Sequence, residues 1–287
     1  MQNTIAEILR DATEALSQVS ETPRLDAEIL LAHVLSVSRA RLFAYPESKI
    51  DISQHVDFTN KITDLLRGVP VAYLTGQKEF WSLNFAVTPD VLIPRPDTEL
   101  LIELILKIEN KSSMRVADLG TGSGAIAIAL QYERQHWEIH ATDQSQKALE
   151  IAKQNAMTHH CESIHFHCGD WCDALPQDQY FDLIVSNPPY IAKNDPHLKA
   201  LQYEPIDALI SEESGLQDLR EIILTARHHL KSGGQLFVEH GYEQAESVRA
   251  FFHEAGYADV RSFEDLEHRS RVSTGILSHA GENFYEK

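Results

Sequence analysis

The fold is decided by Val116-Ala117-Asp118-Leu119-Gly120-Thr121-Gly122-Ser123-Gly124-Ala125, a stretch that runs from an apolar strand through a glycine-rich turn into a helix. Glycine tolerates positive φ and lets the backbone pass close to a ligand. Gly120, Gly122 and Ala125 also satisfy a loose G-x-G-x-x-G/A dinucleotide fingerprint. The stretch therefore predicts the first strand–turn–helix unit of a nucleotide-binding domain. A glycine turn without any ligand is the alternative.

From about Ser113 onward, short strands rich in Val, Ile and Leu alternate with helical segments. Parallel sheets covered by helices on both faces bury strands of this kind. We therefore expect an α/β domain with a Rossmann-like, seven-stranded, mostly parallel sheet. Its predicted strands are Arg115–Leu119, Glu138–Thr142, Ser163–His167, Asp182–Ser186, Gln235–Glu239, Ala258–Ser262 and Val272–Ser278. Its predicted helices are Gly124–Gln131, Gln146–His159, Leu216–Leu230 and Gln244–Ala255.

A small all-helical domain is predicted at the N-terminus, where apolar residues recur at helical spacing and no strand pattern intervenes. The predicted helices cover Thr4–Val19, Asp26–Leu35 and Ser53–Arg67. Thr4 and Glu7 have the spacing of a capping box, in which each side chain bonds the backbone N–H of the other residue.

Residues 76–96 are interpreted as a linker that contains a β-hairpin. Apolar and polar side chains alternate over Trp81–Val87, as in a half-buried strand, and Val91–Ile93 is expected to pair back on it. Asp97 or Thr98 then caps a helix. The chain is accordingly divided into a helical domain over 1–75, the linker over 76–96 and the α/β domain over 97–287.

The composition excludes several classes of protein. Of 287 residues, 43% are hydrophobic and 24% charged, which rules out wholesale disorder. The formal net charge is −18, and most of the acidic excess follows Gly76, so a direct nucleic-acid partner is not expected. The longest apolar run, Ala125–Leu130, is far shorter than the ~20 residues of a membrane span. No signal-peptide pattern begins the chain, and we expect a cytoplasmic protein without membrane contact.

Asp143 strengthens the case for a ligand at the glycine turn. It ends the next predicted strand, and a carboxylate there can accept both hydroxyls of a ribose. The ligand is then a nicotinamide cofactor or S-adenosylmethionine. Asp118, one residue before the turn, favours S-adenosylmethionine, since a pyrophosphate gains nothing from a neighbouring carboxylate.

The chemistry is indicated by Asn187-Pro188-Pro189-Tyr190, which follows a predicted central strand. Open α/β sheets bind ligands at the carboxyl ends of their strands, and two prolines stiffen the backbone there. The Asn187 side-chain oxygen and the Pro188 carbonyl can each accept one N–H of a planar –NH₂ group, and Tyr190 can stack on its plane. Such positioning would hold a poor nitrogen nucleophile in line with a sulfonium methyl group. An Asx-Pro turn without function is the alternative.

These two motifs, residues 118–124 and 187–190, resemble the class I S-adenosylmethionine methyltransferases that modify planar nitrogens. Adenine-N6 and protein glutamine methyltransferases share the second motif. The surrounding sequence resembles the release-factor glutamine methyltransferases (HemK/PrmC type) over nearly the whole chain. The segments that carry this resemblance are residues 92–99, Gly169-Asp170-Trp171, Asp195-Pro196-His197, Glu204-Pro205 and Val238-Glu239-His240-Gly241.

The resemblance implies methylation of the glutamine amide in the Gly-Gly-Gln loop of peptide chain release factors, with the helical domain helping to dock the release factor. It implies that Gly120–Gly124 hold the methionine part of the cofactor, Asp143 the ribose, and Asp170 and Trp171 the adenine. The expected cofactor-binding residues are Asp118, Gly120, Thr121, Gly122, Ser123, Gly124, Asp143, Asp170, Trp171 and Asn187. The expected substrate residues are Asn187, Pro188, Pro189, Tyr190 and Arg95, of which Asn187, Pro188 and Tyr190 are catalytic.

Three alternatives stay open: a ribosomal-protein glutamine methyltransferase, a nucleic-acid adenine-N6 methyltransferase, and a scaffold that has kept the fold without catalysis. No metal is expected, because the histidines and cysteines over 159–172 match no usual zinc spacing. His240 is interpreted as a packed, hydrogen-bonded residue rather than a base. Arg95 is interpreted as a residue of the substrate entrance or of the surface. This sequence has His268 where the family pattern Asp-Leu-x-Gly-x-x-Arg has Gly. We expect the protein to be a monomer.

Overall fold

The computed structural model describes residues 3–108 and 111–278. They fall into two compact units, divided between Gln77 and Lys78. The tail after Ser278, for which the sequence suggested no role, lies outside the described residues. None of the described helices has the length and apolar character needed to cross a bilayer.

The N-terminal unit is helical, as the periodicity predicts. Thr4 and Glu7 form the expected capping box, with Glu7 N donating to Thr4 Oγ1 over 3.3 Å and Thr4 N to Glu7 Oε2 over 2.8 Å. Two short helices, over Arg39–Ala44 and Val71–Thr75, are additional to those predicted, since neither is long enough to display a helical repeat. The helices are α1 (Ile5–Leu16), α2 (Pro23–Leu35), α3 (Arg39–Ala44), α4 (Ile52–Leu66) and α5 (Val71–Thr75).

The hairpin is where the sequence interpretation was wrong. Strands β1 (Gln77–Phe80) and β2 (Leu83–Ala86) pair with each other, and the predicted partner, Val91–Ile93, forms no strand. Trp81 and Ser82, assigned to a single strand, are instead the two turn residues, with φ of 51° and 59°. Positive φ at both central residues is the geometry of a type I′ hairpin turn, for which Asn-Gly is the usual signal. Trp-Ser carries no such signal.

The second unit continues with alternating helices and strands. Its remaining helices are α6 (Glu99–Ile108), α7 (Ala125–Glu133), α8 (Gln146–Thr158), α9 (Glu212–Gly215), α10 (Gln217–Ala226) and α11 (Ala245–Glu254). Its remaining strands are β3 (Arg115–Leu119), β4 (Glu138–Asp143), β5 (His165–Cys168), β6 (Phe181–Ser186), β7 (Ile191–Ala192), β8 (Ile210–Ser211), β9 (Leu230–Glu239), β10 (Tyr257–Glu264) and β11 (Ser270–Leu277).

The predicted seven-stranded sheet is confirmed, in the order β10-β11-β9-β6-β3-β4-β5. The pairs β9–β6, β6–β3, β3–β4 and β4–β5 are parallel, whereas β11 is antiparallel to both neighbours. Alternate residues of β3 and β6 enter two apolar clusters: Val116 and Leu183 belong to one, Ala117 and Ile184 to the other. The sheet is therefore buried on both faces, as the apolar strands predict.

The turn between β10 and β11 holds His268 in a backbone conformation that favours glycine. His268 has φ 59°, in the left-handed region where a side chain costs about 1–3 kcal/mol. Asp265 Oδ1 accepts the N–H groups of Glu267 and Arg269 over 2.8 and 3.0 Å and holds the turn in this conformation.

We expect His268→Val to lower the free energy of unfolding by about 1 kcal/mol, because β-branched side chains tolerate positive φ least. His268→Gly should leave it equal to wild type or higher. The His268 side chain is 90% exposed, so little packing is lost in either variant. Urea denaturation of the three proteins measures the effect, and equal stability of the Val and Gly variants would contradict the account.

Candidate active site

The predicted site residues come together because they follow the carboxyl ends of neighbouring parallel strands. In sheet order, β6 leads into Asn187, β3 into the glycine turn, β4 ends at Asp143 and β5 precedes Gly169–Trp171. The chain leaves β3 toward β4 and later returns to its other side as β6, so the strand order reverses there. Open α/β sheets bind ligands at such a switch point.

Asp118 lies beneath the glycine turn. It is fully buried, and its Oδ2 accepts bonds from Thr121 Oγ1 over 2.6 Å and Ala127 N over 3.2 Å. Burial raises its pKa to about 7, in opposition to these bonds. Asp118 does not line the cavity described below. Its contacts instead fix the turn and the start of α7.

Gly120 and Trp171 pack closely together. Gly120 has φ 72°, and a Cβ built on it would lie 2.8 Å from Cζ3 of Trp171. Trp171 begins a turn of 3-10 helix, over Trp171–Ala174, that packs against β4. Only glycine allows the indole to approach the turn so closely. Trp171 and its exposed neighbour Asp170 both line the cavity.

Asp143 joins the glycine turn to the helix that follows β4. Its Oδ2 accepts from Gly122 N over 2.9 Å, and its Oδ1 accepts from Ser145 N over 2.8 Å. Burial raises the pKa of Asp143, and the two backbone bonds oppose that shift. Each oxygen retains acceptor capacity beyond its single bond. Asp143 lines the cavity together with Gly122.

The Asn187–Tyr190 segment is fixed at both ends. Ser186 Oγ donates to Leu119 O over 2.8 Å and ties the end of β6 to that of β3. The Tyr190 carbonyl accepts from Gln244 Nε2 over 3.0 Å. Gly215, with φ 85°, lies against the same carbonyl, where an added Cβ would come within 2.2 Å of the oxygen. The segment is therefore closely packed at its C-terminal end.

A buried polar network orients the side chains of this segment. Asn187 Nδ2 donates to Thr98 Oγ1 over 3.0 Å, and Tyr190 OH donates to Glu239 Oε1 over 3.1 Å. Glu239 ends β9, the neighbour of β6, and is 1% exposed.

Opposing effects determine the protonation state of Glu239. Burial raises its pKa to about 7, although hydrogen bonds from Thr98 and Tyr190 favour the carboxylate. Of the nearby charges, Asp97 raises this pKa further and Arg271 lowers it. Burial also raises the pKa of the Tyr190 phenol far above its usual range, so Tyr190 remains a neutral donor.

Two cavities meet at Asn187. The larger encloses about 370 Å³, within the range of small-molecule sites, and is lined by the glycine turn, Asp143 and Trp171. The smaller encloses about 180 Å³ and is lined by Arg95, Pro188 and Tyr190. The residues common to both cavities are Leu92, Asn187, Pro189 and Ala208.

Besides Asp118, three predicted cofactor residues do not line the larger cavity: Thr121, Ser123 and Gly124. Thr121 and Ser123 are buried: the Thr121 hydroxyl bonds Asp118, and the Ser123 carbonyl accepts from Asn155 Nδ2 over 2.8 Å. Gly124 is the N-cap of α7. These residues support the turn on the side away from the larger cavity.

The structure also answers two questions that the sequence left open. Arg95 lines the smaller cavity and forms an ion pair with the buried carboxylate of Glu204, whose Oε2 accepts from Ile93 N over 3.1 Å. His240 is buried, with Nε2 2.9 Å from Ser273 Oγ and Nδ1 2.9 Å from Gly241 O. His240 is thus packed and hydrogen-bonded, as interpreted, and it lines neither cavity.

Sequence reasoning missed Thr98 and Glu239 as parts of the site. Thr98 was assigned a capping role, and the strand end at Glu239 was noted without a partner. The sequence signal that could have indicated Glu239 was a carboxylate at the end of a buried strand. The pairing of that strand with β6 was not known from sequence.

Curated relatives match almost the whole chain. A release factor glutamine methyltransferase of Coxiella burnetii is 49% identical over 270 residues, covering 94% of this chain and 97% of that protein. The Escherichia coli protein of the same name is 45% identical, covering 93% of this chain and 96% of that protein. The chain belongs to the release factor glutamine methyltransferase family.

Family models agree with this membership, and solved structures share the fold of the α/β domain. The PrmC N-terminal domain matches residues 7–76, and the methyltransferase small domain matches residues 96–204. A methyltransferase from Pyrococcus furiosus has a TM-score of 0.55 at 16% identity, covering 77% of this chain and 100% of that one. The hMettl16 catalytic domain, solved in complex with a MAT2A 3'UTR hairpin, has a TM-score of 0.57 at 17% identity, covering 80% of this chain and 82% of that one. The Rossmann-like methyltransferase fold is confirmed, and this family member is an S-adenosylmethionine-dependent methyltransferase.

The contact between Gly120 and Trp171 can be tested with a matched pair. Gly120→Ala and Gly122→Ala both place a side chain at positive φ, but a Cβ at Gly122 meets nothing within 4 Å. We expect Gly120→Ala to lower the free energy of unfolding by about 1–3 kcal/mol more than Gly122→Ala does, because the added Cβ overpacks the contact with Trp171. Urea denaturation of both variants measures the difference. Equal losses would show that Trp171 moves aside without cost.

Proposed function

We propose that this protein transfers the methyl group of S-adenosylmethionine to the side-chain amide nitrogen of the glutamine in the Gly-Gly-Gln motif of peptide chain release factors. The observation that carries the proposal is the position of Asn187, which lines both cavities while Thr98 engages its amide nitrogen. Family membership supports the same reaction, because the curated relatives are named for it.

The larger cavity is the proposed cofactor site. Both oxygens of Asp143 retain acceptor capacity for ribose hydroxyls, and Asp170 and Trp171 would border the adenine. The turn from Gly120 to Gly124 would pass along the methionine part, where the absence of a side chain at Gly122 leaves room. Asp118, Thr121 and Ser123 would act indirectly, by fixing the turn.

The smaller cavity is the proposed site for the glutamine amide. Since Asn187 Nδ2 donates to Thr98, its Oδ1 would accept an N–H from the substrate. The Pro188 carbonyl would accept the second N–H, and the Tyr190 ring would lie on the amide plane. Arg95, held by Glu204, would border the entrance.

The reaction requires positioning more than acid–base chemistry. The bound cofactor supplies an electrophilic methyl group on a sulfonium centre. The amide nitrogen lone pair forms the new N–C bond as the C–S bond breaks, and the sulfur keeps that electron pair. Asn187 and Pro188 would draw the two N–H groups into place and increase electron density on nitrogen. One of these protons leaves to water after transfer, so no metal and no strong base are invoked.

A labelling assay tests the substrate. Purified protein, cofactor labelled in the methyl group, and a release factor should give label on the glutamine of the Gly-Gly-Gln loop. A release factor with Ala in place of that glutamine is the matched control and should remain unlabelled. Label on an oligonucleotide or on a ribosomal protein, with none on the release factor, would overturn the proposal. Because these substrates belong to translation, we propose a cytoplasmic site of action, with residues 1–75 helping to dock them.

Asn187→Ala is expected to lower kcat by at least ~100-fold, since it removes an oriented acceptor that acts on the reacting nitrogen. Cofactor affinity should stay within a few fold of wild type. The same labelling assay and calorimetric titration of the cofactor measure the two effects. A large loss of cofactor affinity would mean that Asn187 binds the cofactor rather than the glutamine amide.

Asp143→Ala is expected to do the reverse and weaken cofactor binding by about 10-fold or more, as loss of hydrogen bonds to a charged acceptor does. Titration of both variants in parallel separates the two roles. Because Asp143 also holds Gly122 and Ser145, circular dichroism should first establish that the variant is folded. Unchanged affinity in a folded variant would remove Asp143 from the ribose.

Glu239 is proposed as a positioning residue that holds Tyr190, and it gives the reaction a pH dependence. The carboxylate accepts more strongly than the neutral acid, so kcat should fall as the pH drops through about 7, where Glu239 gains a proton. Asp118 titrates in the same range, so the wild-type profile alone is ambiguous. Glu239→Gln should therefore be less active and have a flatter profile. A Gln variant with the wild-type slope would assign the pH dependence elsewhere.

A further inference from the structure

A second cluster of chemically active side chains lies at the opposite end of β4 from Asp143. Glu138 and His140 are two positions apart on β4 and so point to the same face. His165, at the start of the edge strand β5, is the register partner of His140. One potential ligand atom from each of these residues lies within 4.8 Å of the other two.

The spacing between His140 and Glu138 suits a small divalent cation, and the His165 ligand atom lies within 4.8 Å of both. His140 Nε2 lies 3.2 Å from Glu138 Oε1. Two ligands at about 2.0–2.1 Å from a tetrahedral zinc ion would lie ~3.3 Å apart. A ring nitrogen and a carboxylate oxygen at this separation repel each other unless a proton or a cation lies between them.

Two further residues support the cluster from outside. His140 Nδ1 lies 3.0 Å from His167 Nε2, and Arg115 Nη2 lies 3.0 Å from Glu138 Oε2. A metal-bound histidine characteristically donates its other N–H to an acceptor, and a metal-bound carboxylate is usually bonded through its second oxygen. If His140 donates through Nδ1, its Nε2 lone pair faces Glu138 and His165. The exposure of His165 leaves a path for a metal ion to enter.

We propose that Glu138, His140 and His165 form a zinc site that joins the edge strand β5 to β4. Zinc binds imidazole nitrogen and carboxylate oxygen, and three protein ligands leave the fourth position to water. The sequence did not reveal the site, because its ligands come from two strands and only the pairing of His140 with His165 unites them. The site is independent of the proposed methyl transfer, since Glu138 lies ~16 Å along β4 from Asp143.

Zinc titration of the full chain, first freed of metal with a chelator, tests the proposal. A chromophoric chelator in competition should report one zinc ion bound per chain, and zinc should raise the Tm. His165→Ala should weaken binding by at least ~100-fold and abolish the rise in Tm. Because the His165 side chain is exposed, this variant keeps the core intact.

His136→Ala is the matched control, because His136 is also exposed but lies outside the cluster, and it should bind zinc as wild type does. Cobalt substituted for zinc should give the visible absorption of a four-coordinate ion in wild type and in His136→Ala only. Failure of the wild-type chain to bind zinc at 1:1, or equal binding by His165→Ala, would overturn the proposal. Neither result depends on whether the methyl transfer is found.

Discussion

The parallel pairing of β3 with β6 is the constraint on which the site depends. Its register places Leu119 beside Ser186, so the glycine turn and Asn187 leave the sheet side by side. The bond from Ser186 Oγ to Leu119 O holds the two strand ends together. A slip of one residue would turn every side chain of a strand to the opposite face and disrupt both apolar clusters, so packing fixes the register. The two cavities meet at Asn187 because this register is fixed.

Two buried carboxylates stabilise the loops that follow these strands. Asp118 bonds the turn after β3, and Glu239 bonds Tyr190 after β6. Burial raises the pKa of each to about 7, which reflects the free-energy cost of removing a carboxylate from water. Hydrogen bonds from hydroxyl groups offset part of that cost. Neither group lines either of the two cavities. Glu239 holds Tyr190, which lines the smaller cavity, and Asp118 fixes the turn that carries Gly120 and Gly122.

Local signals predicted much of the fold. The seven strands, the main helices and the Thr4 cap were read from periodicity and capping chemistry. The prediction of the hairpin strands was wrong because Trp81 and Ser82 adopt a turn conformation that their side chains do not favour. The packing of Phe80 and Phe85 in the core outweighs this local preference. The sequence indicated residues of the candidate site only where they belong to contiguous motifs. Thr98 and Glu239 escaped prediction because their contacts join segments far apart in the chain.

The sequence by itself determined the strand–turn–helix unit at Gly120, the Asn-Pro-Pro-Tyr motif and the family, because each is encoded by neighbouring residues whose backbone preferences are local. Only the tertiary structure decided that Asp118 lies behind its turn, that Arg95 pairs with Glu204, and that His140 lies beside His165. Burial and side-chain orientation depend on which strands become neighbours. That choice is made by the packing of the whole sheet, since no single strand carries enough apolar surface to specify its partner.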